Sequence, residues 1–508
     1  MRLCLLILLT LFLMTKAVAQ VPYLDKVYPD GTLESEGYDV FVQNDSNYFI
    51  GGVWVNPNRY GRFIGMQISK NGDTILHQSL VATDSISYFP GGAGTMKKLP
   101  SGGYYTCLNR YYWYTGTGGD FNQAAGMAVT DTTGDTVFTR VYTDTSLYRE
   151  GVGDIIRLRD GSYMLAGVRN YRSTHAEFGL LIHADSAGNF INEHVYVRVA
   201  WEKAQLDRLQ LLPDGHVLLG AESDSLILLG SSPYYKEKPW FIVIDTSGAV
   251  IRDTVYAHGY AGGGRIHTDL NGGYFHTGAL DIFDSSDLYA LTNFPSYIAH
   301  LDTNFRITWI HSFADSVGSY VVNAIQLWDS GYLAIGSNNF NIKGWVCRLD
   351  KAGNVEWSNT YPTDSSMAHV TGTLTDAKEL ANGNIVLTGY RTDTALTLHS
   401  NEIIWLLLID SNGCESPGCL TNVGVKELLV SSIAIYPNPN SGKFTITNSP
   451  RGKLYVFSIL GTNVCQYVIS STNEEITLPP GNAPGNYIGK IFPENGDAPI
   501  VFRIVYQP

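Results

Sequence analysis

A short unit recurs along most of the chain, and its regular spacing constrains the fold more than any other feature. A tight turn with Gly, followed by an apolar strand, occurs six times at intervals of 52 to 59 residues. The turn glycines are Gly102, Gly161, Gly215, Gly272, Gly331 and Gly383. A weaker first copy at 44–51 makes seven, and such near-even spacing indicates one supersecondary unit repeated.

Each unit also has a second turn, in which Asp is followed three residues later by Gly. Examples are Asp131 with Gly134, Asp185 with Gly188, Asp245 with Gly248, Asp350 with Gly353 and Asp410 with Gly413. Asp accepts local backbone hydrogen bonds and Gly supplies positive φ, so the pattern predicts a hairpin turn. A calcium loop would need oxygen ligands at alternate positions and a closing carboxylate, so the hairpin is favoured.

Four strands per unit and seven units predict an all-β fold, a seven-bladed β-propeller over residues 20–422. The composition agrees, because 52 Gly and 32 Tyr with only 16% charged residues are typical of a turn-rich β protein. Unit seven lacks a fourth strand after Asp410, whereas 23–28 resembles the fourth strands that end at Tyr142, Tyr256 and Tyr361. We therefore expect residues 22–28 to pair onto the last blade and close the ring, which removes exposed sheet edges.

Within this architecture the Gly turns share one face, and the loops between the second and third strands share the other. Only the loops of the second face vary in length, at 109–125, 221–239 and 279–296. Candidate ligand contacts on them are Tyr112, Trp113, Tyr114, Tyr234 and Tyr235. These rings could stack on the apolar faces of sugars or on protein side chains, or pack over neighbouring loops as a minor core.

The first 19 residues have the features of a secretory signal peptide. Arg2 precedes an apolar run at 3–14, and Ala17-Val18-Ala19 places cleavage between Ala19 and Gln20. The apolar run is too short for a membrane-spanning helix. We therefore expect an exported protein with no transmembrane segment in the mature chain.

The sequence offers little evidence for catalysis or for a cofactor. A net charge of −13 argues against a nucleic-acid partner. The signatures of zinc proteases, serine hydrolases, P-loops and dinucleotide-binding folds are absent, and no spacing indicates a metal site. Asp120, Asp224, Asp281 and Asp284 lie on the variable loops, but no spacing marks two of them as a pair for glycoside hydrolysis.

The composition changes near Val425, after which a linker at 423–431 leads into a second domain at 432–508. Six or seven short strands with alternating apolar residues predict a small β-sandwich there. Its characteristic residues are Tyr436, Pro437, Asn438, Pro439, Gly442, Gly461, Gly485 and Tyr487.

These residues resemble the type A C-terminal sorting domain of the type IX (Por) secretion system. The resemblance implies export by Sec to the periplasm and then through the outer membrane, with the type IX secretion machinery as partner. It also implies removal of the sorting domain and either release or attachment at the cell surface. On this route an oxidising periplasm would permit a disulfide between Cys414 and Cys419, whereas Cys107 and Cys347 have the pattern of core residues.

Together these features predict a secreted or cell-surface propeller that binds a glycan or protein ligand without chemistry. The alternative is an extracellular carbohydrate-active enzyme, a glycoside hydrolase or lyase, that uses carboxylates on the variable face.

Overall fold

The computed structural model of the 508-residue chain describes most of the repeat region and most of the C-terminal domain. The described residues are 23–29, 34–43, 47–55, 61–80, 86–113, 121–142, 148–171, 176–198, 203–229, 232–256, 260–270, 272–280, 296–313, 319–338, 343–362, 370–393, 402–415, 434–458, 463–479, 484–494 and 500–507. Within these ranges all regular structure is β-strand, and no helix could cross a membrane. The chain divides into two compact units, one up to Thr421 and one from Asn422.

Several sequence predictions concern residues outside these ranges. They are the signal peptide with Ala19 and Gln20, the linker at 423–431, Tyr114, Asp120, Asp281, Asp284, Cys419 and Gly461.

Antiparallel sheets with a path of four strands make up the first unit, and seven of them lie in its described part. The N-terminal strand is β1 (Leu24–Tyr28). Sheet 1 is β2 (Glu34–Gln43), β3 (Asn47–Val55), β4 (Gly61–Ser69) and β5 (Thr74–Leu80); sheet 2 is β6 (Ile86–Pro90), β7 (Lys97–Lys98), β8 (Tyr104–Trp113), β9 (Phe121–Thr130) and β10 (Thr136–Val141); sheet 3 is β11 (Tyr148–Arg157), β12 (Tyr163–Tyr171), β13 (Glu177–Ala184) and β14 (Phe190–Tyr196). Sheet 4 is β15 (Lys203–Leu211), β16 (Val217–Leu229), β17 (Ser232–Ile244) and β18 (Val250–Val255); sheet 5 is β19 (Tyr260–Thr268), β20 (Tyr274–Leu280), β21 (Ser296–Leu301) and β22 (Ile307–Ser312); sheet 6 is β23 (Tyr320–Gln326), β24 (Tyr332–Asn338), β25 (Lys343–Leu349) and β26 (Val355–Tyr361). Sheet 7 is β27 (Val370–Glu379), β28 (Ile385–Asp393) and β29 (Ile403–Ile409), with β1 as its outer strand.

The N-terminal strand supplies the missing strand of sheet 7, as the sequence predicted. Leu24 lies opposite Leu408, and Tyr28 lies opposite Ile404. An ion pair of 2.8 Å between Asp25 and Arg391 adds to the pairing.

Every sheet of the first unit shares a buried apolar core with the next sheet in the chain. The cores join sheets 1 and 2, 2 and 3, 3 and 4, 4 and 5, 5 and 6, and 6 and 7. A further core joins sheets 7 and 1, where Leu24, Ile404 and Leu406 pack with Val40 and Ile50. Burial of these apolar side chains is the main stabilising contribution between sheets.

A second regular contact between sheets is made by tyrosines at the ends of the outer strands. The buried hydroxyl of Tyr28 donates to the carbonyl of Gly72 in the second turn of sheet 1, at 3.0 Å. The same hydrogen bond joins Tyr142 to Gly188 at 3.0 Å, Tyr196 to Gly248 at 2.7 Å, Tyr361 to Gly413 at 2.7 Å, and Tyr256 to Phe305. The contact from sheet 7 to sheet 1 therefore follows the pattern of the other sheets.

The predicted turns have the expected backbone, with one exception. Gly102, Gly161, Gly215, Gly272 and Gly383 have positive φ in the first turns, and the glycines of the second turns do likewise. In the first turn of sheet 6, Ser330 has the positive φ of 70° that was expected of Gly331. The Ser330 N–H donates to the Leu327 carbonyl as the turn glycines do in the other sheets, so Ser330 and not Gly331 occupies the glycine position of this turn.

The recurring Gly of the second strand has a steric reason. The innermost strands of sheets 1, 3, 6 and 7 carry a β-bulge, and Gly52, Gly167, Gly336 and Gly389 lie opposite those bulges. A Cβ atom added to Gly167 would lie 1.9 Å from the Gly151 carbonyl oxygen, and one added to Gly336 would lie 1.9 Å from the Tyr320 carbonyl oxygen. At these glycines no larger residue fits without moving the bulge, whereas sheet 4 carries Ala221 opposite its own bulge.

One of the three predicted variable loops is largely strand. Strand β16 continues to Leu229 and pairs with β17, which begins at Ser232, so the prediction of a loop at 221–239 is wrong. The loop predicted at 109–125 is also shorter, because β8 continues to Trp113 and β9 begins at Phe121. Cross-strand pairing satisfies the backbone polar groups of both hairpins, and the hairpins therefore extend beyond the sheet core.

The second unit contains two packed sheets. One is β30 (Ala434–Tyr436), β31 (Lys443–Thr447) and β34 (Asn473–Thr477); the other is β33 (Asn463–Ile469), β32 (Gly452–Ser458), β35 (Gly485–Pro493) and β36 (Ile500–Tyr506). Phe444 and Ile446 of the first sheet and Leu454 and Ile504 of the second belong to the same buried core.

We expect Tyr28→Phe to lower the free energy of unfolding of the first unit by about 1 kcal/mol, the usual effect of losing one buried hydrogen bond. Urea denaturation would measure the change. Tyr320→Phe is the matched control, because Tyr320 is 58% exposed. Equal stability of the two variants would contradict the assigned role of the Tyr28 hydroxyl.

Candidate functional site

The β-bulges place one polar residue per innermost strand at a corresponding position. Directly after a bulge come Asp39, Asp154, Arg208, Asn323 and Asp376. Thr95 and Arg265 occupy the same position by spacing, seven residues before the positive-φ glycine of the first turn. We call these seven the post-bulge residues.

Three post-bulge carboxylates connect adjacent sheets by the same hydrogen bond. Asp376 Oδ2 accepts the Val40 N–H at 3.0 Å, and Asp39 Oδ2 accepts the Met96 N–H at 3.2 Å. Asp154 Oδ2 accepts the Leu209 N–H at 2.9 Å. In each case the donor follows the post-bulge residue of the next sheet, and the first of these bonds runs from sheet 7 to sheet 1.

A cavity of about 650 Å³ lies among the innermost strands, next to the post-bulge residues. Its lining comprises Asp39, Phe41, Gly94, Met96, Lys97, Lys98, Tyr105, Arg208, Gln210, His267, Thr268, Leu270, Phe275, Asn323, Ala324, Ile325, Gln326, Trp328, Asp376 and Lys378. Leu270 and Trp328 belong to first turns and are 69% and 66% exposed. The cavity therefore extends towards the face that carries the Gly turns.

Sheet 2 departs from the regular pattern where it borders this cavity. Its innermost strand is interrupted between β6 and β7, and Gly92 and Gly94 have positive φ there. Arg208 of sheet 4 donates to the carbonyls of Ala93 at 2.5 Å and Gly94 at 3.1 Å. The interruption thus turns two carbonyl oxygens towards a buried guanidinium.

Charged side chains of both signs line the cavity. The acidic groups are Asp39 and Asp376, and the basic groups are Lys97, Lys98, Arg208 and Lys378. Lys378 contacts Asp376 at 2.8 Å, and Lys97 contacts Asp154 at 2.8 Å.

Of the carboxyl groups in the cavity wall, Asp39 has a strongly raised pKa. Burial raises its pKa to about 7, and the nearby charge of Asp376 adds to the effect, whereas Lys378 and Lys97 act in the opposite direction. Near neutral pH the Asp39 carboxyl is therefore partly protonated, so it can donate as well as accept a hydrogen bond.

A second carboxyl pair lies where sheet 1 adjoins sheet 7, at the start of β2. Burial raises the pKa of Glu402 to about 8, and Glu36 raises it further through its charge and a hydrogen bond between the two side chains. Burial likewise raises the pKa of Glu36 and of the adjacent Tyr38. No sequence pattern indicates this pair, because its members are 366 positions apart in the chain.

The structure does not join the predicted ligand residues to the cavity. Tyr112 and Trp113 lie on β8, and Tyr234 and Tyr235 lie on β17 opposite Ile227 and Leu226. Among the described lining residues, none belongs to this predicted set. Asp224 lies on β16, opposite Lys203.

The described residues contain no candidate metal site, and three of their cysteines are buried. In the ranges described above, no group of three His, Cys, Asp or Glu side chains could hold a metal ion. Cys107 and Cys347 are buried within their sheets, as predicted, and Cys414 is also buried. The Cys414–Cys419 disulfide stays a prediction, because Cys419 is outside the described residues.

In the second unit the Tyr436–Pro439 motif follows β30 and contacts the last strand. Asn438 Oδ1 accepts the Val505 N–H at 2.7 Å, and Asn440 donates its backbone N–H to the Val505 carbonyl at 2.8 Å. Tyr436 is 78% exposed, whereas Tyr487 is buried. The motif thus fixes the chain terminus and leaves an aromatic ring in solvent.

Comparison with known proteins identifies this second unit. Residues 434–501 match the family model of the secretion system C-terminal sorting domain. The predicted resemblance is confirmed. The protein carries a type IX sorting domain and is secreted by that system to the cell surface or the extracellular space.

For the first unit the comparisons give only weak likenesses. No curated protein sequence matches the chain. The polysaccharide lyase Uly1 aligns at 10% identity with 78% of this chain and 96% of its own, with a TM-score of 0.44. An ulvan lyase bound to -[GlcA(1-4)Rha3S]- aligns at 9% identity with 75% of this chain and 96% of its own, with a TM-score of 0.44. The β-propeller domain of the Trilobed protease from Pyrococcus furiosus aligns at 9% identity with 74% of this chain and 95% of its own, with a TM-score of 0.39. These TM-scores are too low for the similarities to define an activity.

The raised pKa of Asp39 predicts the sign of one pH effect. The folded protein holds this proton more tightly than the unfolded chain does, so stability should fall as the pH rises from about 4 to about 7. Asp39→Asn should remove this loss and raise the melting temperature at about pH 8, by a free energy on the order of 1 kcal/mol or more.

Melting curves of both proteins across this pH range would test the effect. Asp302→Asn is the control, because backbone N–H groups of Arg306 and Asn304 hold the pKa of exposed Asp302 below its usual value. The stability that the Asp302 carboxylate contributes is lost as the pH falls, so Asp302→Asn should not raise the melting temperature of the protein at about pH 8. An Asp39→Asn variant no more stable than wild type at that pH would contradict the burial argument.

Proposed function

We propose that residues 20–422 form a closed seven-bladed β-propeller whose blades are sheets 1 to 7. The core shared by sheets 7 and 1 supports closure, since it matches the cores between the other neighbours. The Tyr28–Gly72 and Asp376–Val40 hydrogen bonds support it as well, because they repeat at this junction the contacts made elsewhere. Closure protects the edges of the first and last sheets from other strands.

We further propose that this propeller is a secreted binding protein that takes a glycan in its central cavity. The observation that carries the proposal is the composition of the cavity wall. Gln210 and the charged side chains offer hydrogen bonds, and Trp328 presents an exposed indole at the rim. The amides of Asn323 and Gln326 already bond within the protein. A volume of about 650 Å³ suits a short saccharide, whose hydroxyls would meet the polar groups and whose apolar face would stack on the indole.

A second candidate function is cleavage of a bound glycan by a glycoside hydrolase or lyase mechanism. Asp39 and Asp376 in the cavity wall favour it, because acid–base catalysis needs two carboxyl groups and Asp39 is partly protonated near neutral pH. Binding without chemistry is the better-supported function, since both carboxylates already accept backbone N–H groups of the neighbouring sheet. Such bonds between sheets account for the two residues structurally.

The remaining sequence predictions complete the proposal for export. The signal peptide at 1–19 would direct the chain to the periplasm, and the sorting domain would engage the type IX machinery through the Tyr436–Pro439 motif and its neighbours. The Cys414–Cys419 disulfide would stabilise the chain directly after sheet 7.

Trp328→Ala should weaken binding of a glycan identified by array screening roughly tenfold or more, because an exposed aromatic anchor is lost. Folding should be unaffected, since the side chain is 66% exposed. Isothermal titration calorimetry with the purified propeller would measure the affinity, and a reducing-sugar assay on the same glycan would detect cleavage.

Trp113→Ala is the matched control for the other face, where Tyr112, Trp113, Tyr114, Tyr234 and Tyr235 are the predicted ligand contacts. Loss of binding in Trp113→Ala with normal binding in Trp328→Ala would move the site to that face. Sugar release by wild type that Asp39→Asn abolishes would favour the enzyme.

Deletion of residues 432–508 should abolish appearance of the protein outside the cell and leave it in the periplasm. Cell fractionation with antibody detection would measure the distribution. Lys453→Gln, an exposed change within the sorting domain, is the control and should be exported normally. Undiminished surface display of the truncated chain would show that another signal suffices.

A further inference from the structure

Two guanidinium groups converge on one carbonyl oxygen next to the cavity. Arg208 donates to the Ala93 carbonyl at 2.5 Å, and Arg265 donates to the same oxygen at 3.3 Å. Both are post-bulge residues, of sheets 4 and 5. Like charges placed this close repel each other, and here Arg208 is buried and Arg265 is half-buried.

The surrounding carboxylates do not neutralise this pair. Asp154 lies 3.8 Å from Arg208, but its oxygens already accept from Lys97 at 2.8 Å and from the Leu209 N–H. Asp207 also faces Arg265 and accepts a hydrogen bond from Gln205 at 2.6 Å. Among these groups three cations stand beside two carboxylates, while the fourth cation nearby, Lys378, is paired with Asp376 at 2.8 Å.

Two buried nitrogen atoms without hydrogen-bond partners in the described structure border the same part of the cavity. Arg208 is 3% exposed, and its Nε has no hydrogen-bond partner within the described structure. The same holds for Nε2 of His267, whose ring lines the cavity. Buried polar atoms without partners are rare in folded proteins, so a group that supplies them is expected here.

The local potential is positive although the chain as a whole is acidic. Burial and the charges of Arg208, Arg265, Lys97 and Lys378 lower the pKa of His267 well below its usual value, which keeps the ring neutral. Burial and the charge of Arg208 lower the pKa of Arg265 to about 9. An anion would lower the electrostatic energy of this cluster.

We infer that Arg208 and Arg265, with Lys97 and His267 beside them, form an anion subsite of the central cavity that takes the carboxylate or sulfate group of an acidic saccharide. This inference rests on the proposed function, because the rest of the saccharide would occupy the glycan cavity. Guanidinium groups suit both anions, since each can donate two parallel hydrogen bonds to two oxygens of a planar carboxylate or of a tetrahedral sulfate. The neutral His267 ring adds a further donor or acceptor.

The test compares sugars that differ only in charge. Probes are oligogalacturonate with its methyl ester, and dextran sulfate with dextran, each titrated calorimetrically into the wild-type propeller. We expect each acidic probe, or one of the two, to bind at least tenfold more tightly than its neutral partner, less so at high ionic strength. The probe pair that shows the preference identifies the carboxylate or the sulfate.

Arg265→Gln should abolish the preference for the acidic probe without lowering the melting temperature, because it removes one of two repelling charges. A purely structural role for Arg265 would instead lower the melting temperature and leave the preference unchanged. Arg306→Gln, an exposed change in the second turn of the same sheet, is the matched control and should keep the preference. Arg208→Gln should lose both preference and stability, since Arg208 holds the Ala93 and Gly94 carbonyls.

Equal affinity for charged and neutral probes would overturn the anion subsite and leave the proposed glycan-binding function intact. Failure of every acidic and neutral saccharide to bind would overturn both. A preference that survives in Arg265→Gln would place the acidic group elsewhere and would also overturn the inference.

Discussion

The β-bulge opposite a glycine is the constraint on which the rest of the first unit depends. In sheets 1, 3, 6 and 7 it requires Gly at the second strand, as at Gly167 and Gly336, because a bulge carbonyl occupies the space of a Cβ atom. In return it sets the residue that follows, such as Asp39 or Asn323, at the level of the cavity. A simple alternating strand could not do this, since each shift by one residue reverses the face that a side chain occupies.

The post-bulge residues serve the contacts between sheets as well as the cavity. A carboxylate there, as in Asp39 or Asp376, reaches a backbone N–H of the next sheet, while the apolar cores and the outer tyrosines hold the sheets further out. At the corresponding position of sheet 4, Arg208 is a hydrogen-bond donor and not an acceptor, and its side chain donates to carbonyls of sheet 2. Interruption of the innermost strand of sheet 2 is the backbone change that makes those carbonyls available.

The sequence predicted the repeating elements well because their chemistry is local. The turn glycines have the same identity in most units, and so does the tyrosine at the end of the outer strand, such as Tyr28. The sequence pattern therefore predicts both. The post-bulge residues were missed because their identity varies from Asp to Thr, Arg and Asn, although in sheets 2 to 5 and 7 each lies seven residues before the turn glycine. Pro233 and Pro239 lie on β17, and proline is unusual within strands, so the sequence at 221–239 does not predict the hairpin of β16 and β17.

The variation among post-bulge residues is itself informative. A position that served only to connect sheets would keep one side chain, since an Asp that accepts the next N–H satisfies every junction equally. At sheets 4 and 5 the chain instead carries two guanidinium groups that repel each other across one carbonyl oxygen. Like charges this close together and largely removed from solvent lower the stability of a folded domain, so their presence beside the cavity is better explained by what they bind than by what they hold together.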